Sequence, residues 1–393
     1  MYTQNTPVHV KLWHREFWHL ALANLLLTMS VYMLIPSMPQ WMQLHHGMEQ
    51  TGLMMLAYGV GLFLLGGFCS FLVQHERRNH VCLWAIVGLM LSYAFLYYGV
   101  KLGPLPFWVL LLIRLCCGAF FGFTQMVLMS TLIIDTCESF QRTEANHSAS
   151  WFGRFALSLG PLSALILIRF GTSSVAGFDT VLLGSMACCL LAACLILTIH
   201  FPFKAPEDKV RVFTLDRFFL PQGLWLFLNL VLITTAIGIL FALPHNIIFY
   251  GMMMSGFLLS LIAQKFVFVN AELKSEVLSG LFLIGCALLM LLSHQKTAVD
   301  YIAPFFIGTG TGIIGARFLL FFIKLSHHCQ RGTSQSTYFL GWEFGLALGL
   351  AVGFMCCKAS LAACVWSSFV LVVAALLIYQ FFTHTWYLKH KNR

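Results

Sequence analysis

Twelve apolar runs, each near the length of a bilayer-crossing helix, follow one another along this chain with short polar gaps between them. The hydrocarbon core of a membrane is about 30 Å thick, and a helix needs about 20 apolar residues to cross it. The runs fall at 16–36, 51–73, 81–100, 107–134, 147–169, 178–200, 222–242, 246–268, 277–294, 301–325, 335–356 and 361–383. In lipid every backbone N–H and C=O must find a partner within the protein, which leaves helices or a closed barrel. Barrel strands alternate polar and apolar positions over about ten residues. Residues 107–113 and 371–378 do not alternate. The sequence therefore predicts an all-α membrane protein with twelve transmembrane helices.

Charge is what the runs lack. Asp, Glu, Lys and Arg make up 9% of the 393 residues and hydrophobic residues 59%, whereas a soluble domain carries about 25% charged residues. No polar stretch is long enough to fold as a soluble domain. The first run is expected to be a retained helix rather than a secretory signal. No small-residue cleavage site follows it; Ile35-Pro36-Ser37-Met38-Pro39 follows instead.

The basic residues between the runs set an orientation. Sixteen loop Lys and Arg, among them Arg77, Arg78, Arg142, Lys209 and Arg331, fall on the side of the N-terminus, and four, Lys101, Arg169, Lys296 and Lys358, fall on the other. The expectation is a multi-pass protein of the cell (inner) membrane with both termini in the cytoplasm. The net charge of +9 follows from that bias, so no nucleic-acid partner is inferred.

The longest polar connection, 201–221, divides the chain into a six-helix bundle over 1–200 and another over 222–393. Its second part, Phe213-Thr-Leu-Asp-Arg-Phe-Phe-Leu-Pro, is expected to lie along the membrane surface, with Phe and Leu in lipid and Asp216 and Arg217 in water. Residues 142–164 align without gaps on 331–353, and Arg142/Arg331, Phe155/Phe344, Leu157/Leu346, Leu159/Leu348 and Gly160/Gly349 are identical. This maps the fifth span onto the eleventh, as a six-plus-six duplication requires. Parallel halves place a transport site near the midplane between them.

Over essentially its whole length the chain resembles the major facilitator superfamily. The fourth span carries Arg114-Leu-Cys-Cys-Gly118, similar to that family's Arg-x-x-x-Gly signature. The fifth carries Gly160-Pro161, similar to the motif of the twelve-helix drug–proton antiporter branch. After the second span the family has Gly-x-x-x-Asp-Arg-x-Gly-Arg-Arg. Here only Arg77 and Arg78 match clearly, and Val73 or Gln74 stands where the acid belongs. The resemblance implies a major facilitator fold of two pseudo-symmetric bundles. Spans 1, 4, 7 and 10 would line a central cavity, spans 2, 5, 8 and 11 would join the halves, and the rest would face lipid.

Charges inside the runs are the candidate functional residues, since Lys, Arg or Asp at a helix centre costs about 2.5–3.5 kcal/mol on insertion scales. Arg114, Arg154, Arg317 and Glu343 are such residues. Arg114 is expected to hold substrate or to tie the fourth span to its neighbours. Glu343 stands out as the one deep acid, with Arg154 at the equivalent place in the other half and Arg317 at similar depth in span ten. Three readings stay open: a static pair with Arg317, a gating pair with Arg154, or a proton carrier. An excess of buried Arg over acid admits an anionic substrate as the missing counter-charge. Asn24, Thr28, Tyr32, Thr124 and Gln125, with Asn229, Thr234, Thr309 and Thr311, are candidate cavity linings or helix–helix hydrogen bonds.

The thirteen cysteines show no Cys-x-x-Cys spacing, so no metal site, cofactor or disulfide framework is expected. The glycine-rich 308–315 lacks the strand and the Lys-Ser/Thr of a phosphate loop. The reading is a carrier and not an enzyme: secondary active export of a small amphipathic or anionic solute by alternating access, as a monomer in lipid, driven by a proton or another coupling ion. Uptake of a small organic anion or nutrient, a membrane enzyme on lipid-linked substrates and a transport-dead receptor are the alternatives.

Overall fold

The computed structural model describes residues 11–103, 105–170, 177–199, 211–268, 271–293 and 297–392. Among these there is no strand, and twelve helices are long and apolar enough to cross a membrane. They are α1 (Arg15–His45), α2 (Met48–His75), α3 (Arg78–Leu102), α4 (Phe107–Asp135), α5 (Arg142–Phe170) and α6 (Phe178–Leu197). The second set is α7 (Pro221–Phe241), α8 (Ile247–Phe266), α9 (Leu273–Ser293), α10 (Val299–Leu325), α11 (Arg331–Met355) and α12 (Leu361–His390). The first part of the expected linker, 201–210, and the extreme chain ends lie outside the described residues. The face carrying the α6–α7 connection is called the linker face below, and the opposite one the far face.

Several helices run past the predicted apolar limits. A helix closes its own backbone hydrogen bonds, so it continues into polar surroundings wherever packing covers it. The first turn of α11 shows this: Thr333 and Ser334 precede the apolar run, which starts at 335, and are buried together with Gln335, Ser336 and Thr337.

The two sets of six pack alike. Helix α1 packs on α5 and α6, α2 on α4, and α3 on α4 and α6. In the same way α7 packs on α11 and α12, α8 on α10, and α9 on α10 and α12. Small residues let these helices approach closely in a solvent that gives no hydrophobic drive between them. Gly118 of α4 lies against the Tyr58 carbonyl and Gly61 of α2, where a β-carbon would collide with backbone. Across the halves, α2 packs on α11 and α5 on α8.

Four helices are locally broken, α12 by a π-turn at Tyr379–Thr383. In α1 the break falls at Met33. Pro36 lacks an N–H and its ring crowds the carbonyl four residues back, at Tyr32. Gly160, just before Pro161 of α5, packs into that break, against Tyr32 Cβ at 2.8 Å from its ideal β-carbon and Met33 N at 3.2 Å. Helix α2 loosens between Leu62 and Phe68. Helix α4 widens into a π-turn at Leu128–Leu132, every residue of it buried.

Candidate functional site

The charged centre of the molecule is assembled where α11 of one half meets α1 and α2 of the other. Glu343 is 2% exposed. Its carboxylate accepts hydrogen bonds from the hydroxyls of Tyr32, on α1, and Tyr58, on α2, the latter at 3.2 Å. Hydrogen bonds to a charged group contribute about 1.5–3 kcal/mol each, so two phenols offset much of the cost of burying this acid without a cation in contact.

Neither arginine expected as its partner fills that role. Arg317 forms an ion pair with Glu276 of α9. Glu276, in the first turn of α9, is shielded from solvent, so Glu343 is not the only acid buried among the helices. The predicted ninth span began after Glu276, whereas α9 begins at Leu273 and carries it inward. Arg154 lies over the Trp151 ring at 4.0 Å from its centroid and donates Nη2 to Ser150 Oγ at 2.9 Å. No Arg154–Glu343 ion pair is present among the described residues. A guanidinium over an indole gains about 2 kcal/mol when desolvated, but its remaining donors still need acceptors. Arg154 Nε and Nη1 are buried and make no hydrogen bond of ordinary length, although the Tyr338 hydroxyl lies close enough to interact with the guanidinium.

Arg114 repeats the pattern on α4. It is 4% exposed and stacks on the Tyr58 ring at 4.5 Å from the centroid, and its Nε and Nη1 are buried without partners. Tyr58 thus faces a carboxylate with its hydroxyl and a guanidinium with its ring. With Arg317 neutralised by Glu276, the centre holds two cations against one anion.

Two small chambers meet at Glu343. One, of about 40 Å³, is lined by Asn24, Thr28, Tyr32, Gln125, Met129, Ser150, Gly153, Arg154, Gln335, Tyr338, Phe339, Trp342 and Glu343. The other, of about 20 Å³, takes in Tyr32, Tyr58, Arg114 and Glu343. A water needs about 10–15 Å³, so these hold a few waters and no organic solute. A larger groove of about 480 Å³ lies on the outside of α2, α3 and α4, with Phe68, Trp84 and Phe120 in its lining. Val212 of the connecting segment also lines it, and it shares no lining residue with the two chambers.

Of the sequence-predicted site residues, Asn24, Tyr32, Gln125, Arg154 and Glu343 share the first chamber, and Arg114 joins Tyr32 and Glu343 in the second. Asn24 donates Nδ2 to the Ala149 carbonyl at 2.9 Å, and Gln125 donates Nε2 to Thr28 Oγ1 at 3.0 Å. Arg317 lies in neither chamber. The first chamber is lined by α1, α4, α5 and α11 and the second by α1, α2, α4 and α11; α7 and α10, expected to line a central cavity with α1 and α4, contribute to neither. Asn229 of α7 is spent on the Ala375 carbonyl and Thr309 of α10 on that of Phe305. Tyr58, Gln335, Tyr338 and Trp342 were missed, because an aromatic or amide inside an apolar run carries no local sign of where it points. Arg78, expected as a motif residue, forms an ion pair with Asp135 at the linker-side end of α4, and Arg77 stands next to it as the residue capping the start of α3.

Among solved structures the fold is shared by a bacterial homologue of the iron transporter ferroportin (16% identity, 95% of this chain and 99% of that one, TM-score 0.67). It is also similar to the human organic anion transporter MFSD10 (TETRAN), at 17% identity over 93% and 98% of the two chains with a TM-score of 0.63. The transporter FucP aligns at 13% identity over 94% and 99%, with a TM-score of 0.62. No curated protein matches the sequence. The family model described as Major Facilitator Superfamily matches residues 20–350. Twelve helices in two like-packed sets of six, a charged centre between them and that match give one conclusion: the chain belongs to the Major Facilitator Superfamily.

Proposed function

We propose that this membrane transporter carries a small organic anion, moving it out of the cell by rocking the bundles 1–200 and 222–393 about the centre between them, with 201–221 as the cytoplasmic connection. The observation that carries the anion reading is the pair of buried arginines, Arg114 and Arg154, each with two unpartnered N–H groups beside the chambers that share Glu343. Burying a cation costs several kcal/mol unless an anion or acceptors compensate it. A carboxylate, sulfonate or phosphate on the solute supplies the acceptors, and a guanidinium binds such groups through two parallel N–H bonds. Trp151, Tyr338 and Trp342 near Arg154 add aromatic surface for an amphipathic solute. The likeness to an organic anion transporter at the level of fold is in keeping with this.

Both chambers are too small for the solute, so the loaded state is wider. Glu343 holds the two halves together through Tyr32 and Tyr58, and an incoming anion competes with its carboxylate for those phenols while taking the free N–H groups of the arginines. The outward direction rests on the Gly160–Pro161 motif of α5, whose resemblance to the drug–proton antiporter branch favours export. Both termini are taken as cytoplasmic from the basic loops, the carrier as a monomer of the cell membrane, and a proton or another ion as the coupled species.

Purified protein in liposomes, assayed against a panel of organic anions, cations and neutral solutes of similar size, tests the reading. Anions alone should be taken up and should raise the melting temperature. Arg154→Gln and Arg114→Gln should each abolish both effects in folded protein. Transport of cations or neutral sugars with anions inert would refute it.

A further inference from the structure

The chain leading into α7 is fastened to both halves. From Phe213 to Leu220 it is strung between the last turns of α2 and the first turns of α11, helices that pack on each other across the halves. Toward α2, Thr214 donates its N–H to the Gly67 carbonyl at 3.0 Å, and Ser70 donates its hydroxyl to Asp216 Oδ2 at 3.1 Å. Toward α11, Thr333 donates its hydroxyl to Asp216 Oδ1 at 3.2 Å and accepts the Arg217 N–H at 2.9 Å. Thr337 accepts the Leu220 N–H at 2.8 Å. One carboxylate therefore holds one half by each oxygen.

Packing and backbone shape agree with a built contact. Phe213 rests on Gly67 and Phe218 on Gly66, so close that a β-carbon at either glycine would strike the ring. These glycines sit in the loosened stretch of α2, which lets the rings nest against backbone. Arg217 has φ 57°, a left-handed conformation that residues with a β-carbon rarely adopt and that surrounding contacts must hold in place. The segment was expected to lie on the membrane surface with Asp216 in water. Asp216 is exposed, yet both of its oxygens are engaged. At the end of α2, where the family resemblance leads one to expect an acid, stand Val73 and Gln74; the carboxylate between α2 and α11 arrives from the connecting segment instead.

We propose that Asp216 is a state-dependent clasp on the linker face: it holds α2 and α11 together in the conformation seen here, and gives up Ser70 or Thr333 when the halves part on that side. A contact made in one conformation and lost in the other biases the equilibrium by its own free energy. Those bonds exist only while the ends of α2 and α11 are close, so they favour the closed linker face and oppose its opening. The clasp lies apart from the central chambers, and it stands whichever solute the carrier moves.

Hydrogen–deuterium exchange on the full-length protein in lipid nanodiscs reads this directly. Asp216→Ala should speed exchange about tenfold in 66–75 and 331–337, equivalent to about 1.4 kcal/mol; the shift is modest because Asp216 is exposed and water competes for both of its hydrogen bonds. The far-side contact of Gly52 with Met355 should keep its wild-type rate. Ser70→Ala and Thr333→Ala should act in the same direction; combining Ser70→Ala with Asp216→Ala should add nothing, whereas Thr333→Ala, which also removes the acceptor of the Arg217 N–H, should add to it. A second reading is modification of a cysteine placed at Met129, in the lining of the central chamber, by a thiol reagent applied from the linker side; Asp216→Ala should raise its rate by a similar factor. Wild-type exchange and wild-type modification in Asp216→Ala would overturn the proposal. So would uniform acceleration that includes the far-side contact, because Asp216 would then support the fold rather than the gate. If Asp216→Ala cannot be obtained folded, Ser70→Ala and Thr333→Ala decide by the same criteria.

Discussion

Tyr32 and Glu343 stand 311 residues apart in sequence, on helices of opposite halves, and share a hydrogen bond at the centre of the molecule. The phenol sits at the proline-induced break of α1, so the same local defect that frees a backbone carbonyl also aims the side chain across the interface. Tyr58 supports the carboxylate from α2.

This tie predicts coupling between the two residues. Tyr32→Phe and Glu343→Gln should each lower the apparent melting temperature. In a double-mutant cycle the pair should show an interaction energy of about 1.5–3 kcal/mol, the range for a hydrogen bond to a charged group. Tyr58→Phe, which removes the longer contact, should couple more weakly. Additive effects of Tyr32→Phe and Glu343→Gln would mean that the bond does not contribute to holding the halves together.

Much of the fold was legible in the sequence because a bilayer turns helix length into a one-dimensional apolar signal. The twelve runs are readable that way, and each has its helix. The partners of the buried charges were not. The 189-residue offset that aligns Arg154 with Glu343 reports homologous places in two halves, and homologous places need not touch. Glu276 was set outside its span because a charged residue near Lys274 reads as loop, and its burial depends on Arg317, 41 residues later. Tyr58 drew no expectation, since nothing local distinguishes a tyrosine whose hydroxyl meets lipid headgroups from one whose hydroxyl meets a carboxylate. Asp216 was read as solvated for the same reason: its partners Ser70 and Thr333 lie on helices far away in sequence.

The Arg317–Glu276 pair lies outside both chambers, so its role is expected to be structural. Glu276→Gln leaves a largely buried guanidinium without its counter-charge and should cost about 3–5 kcal/mol of stability. Replacing both residues by Gln should recover most of that loss, and the double variant should still transport. A double variant that is stable and inactive would move this pair into the transport machinery.

His245, in the far-face connection between α7 and α8, gives a pH dependence. It is half-buried, stacked on Phe249 at 3.7 Å between centroids, and donates Nε2–H to the Leu240 carbonyl at 2.9 Å. Burial pushes its pKa down to about 4 from the ordinary 6.5. The folded state therefore holds the neutral ring, and its stabilising contribution, intact above pH 6.5, is lost as pH falls from 6.5 toward 4. The melting temperature should decline across that window. His245→Gln, which keeps a donor for Leu240 without a titrating ring, should flatten part of the decline. An unchanged slope in that variant would assign the acid sensitivity elsewhere.

The two arginines with unpartnered donors should respond differently to conservative change. Arg114→Ala should abolish transport without preventing membrane insertion, and Arg114→Lys should restore it only in part. An ammonium keeps the charge but loses the planar fork that meets an anion through two bonds and lies flat on Tyr58. Arg154→Lys should be worse tolerated, since Arg154 also stacks on Trp151 and bonds Ser150. Loss of one charge-assisted hydrogen bond, about 1.5–3 kcal/mol, corresponds to roughly 10- to 150-fold weaker binding. Solute binding to purified protein, measured alongside flux, separates the two steps. Weaker binding with proportionally lower flux places the arginine on the solute, while wild-type binding with lost flux places it on the movement between halves. Arg114→Ala and Arg154→Ala variants that bind and transport as the wild type does would leave two buried guanidinium groups with only a packing role, and the anion reading would fall with them.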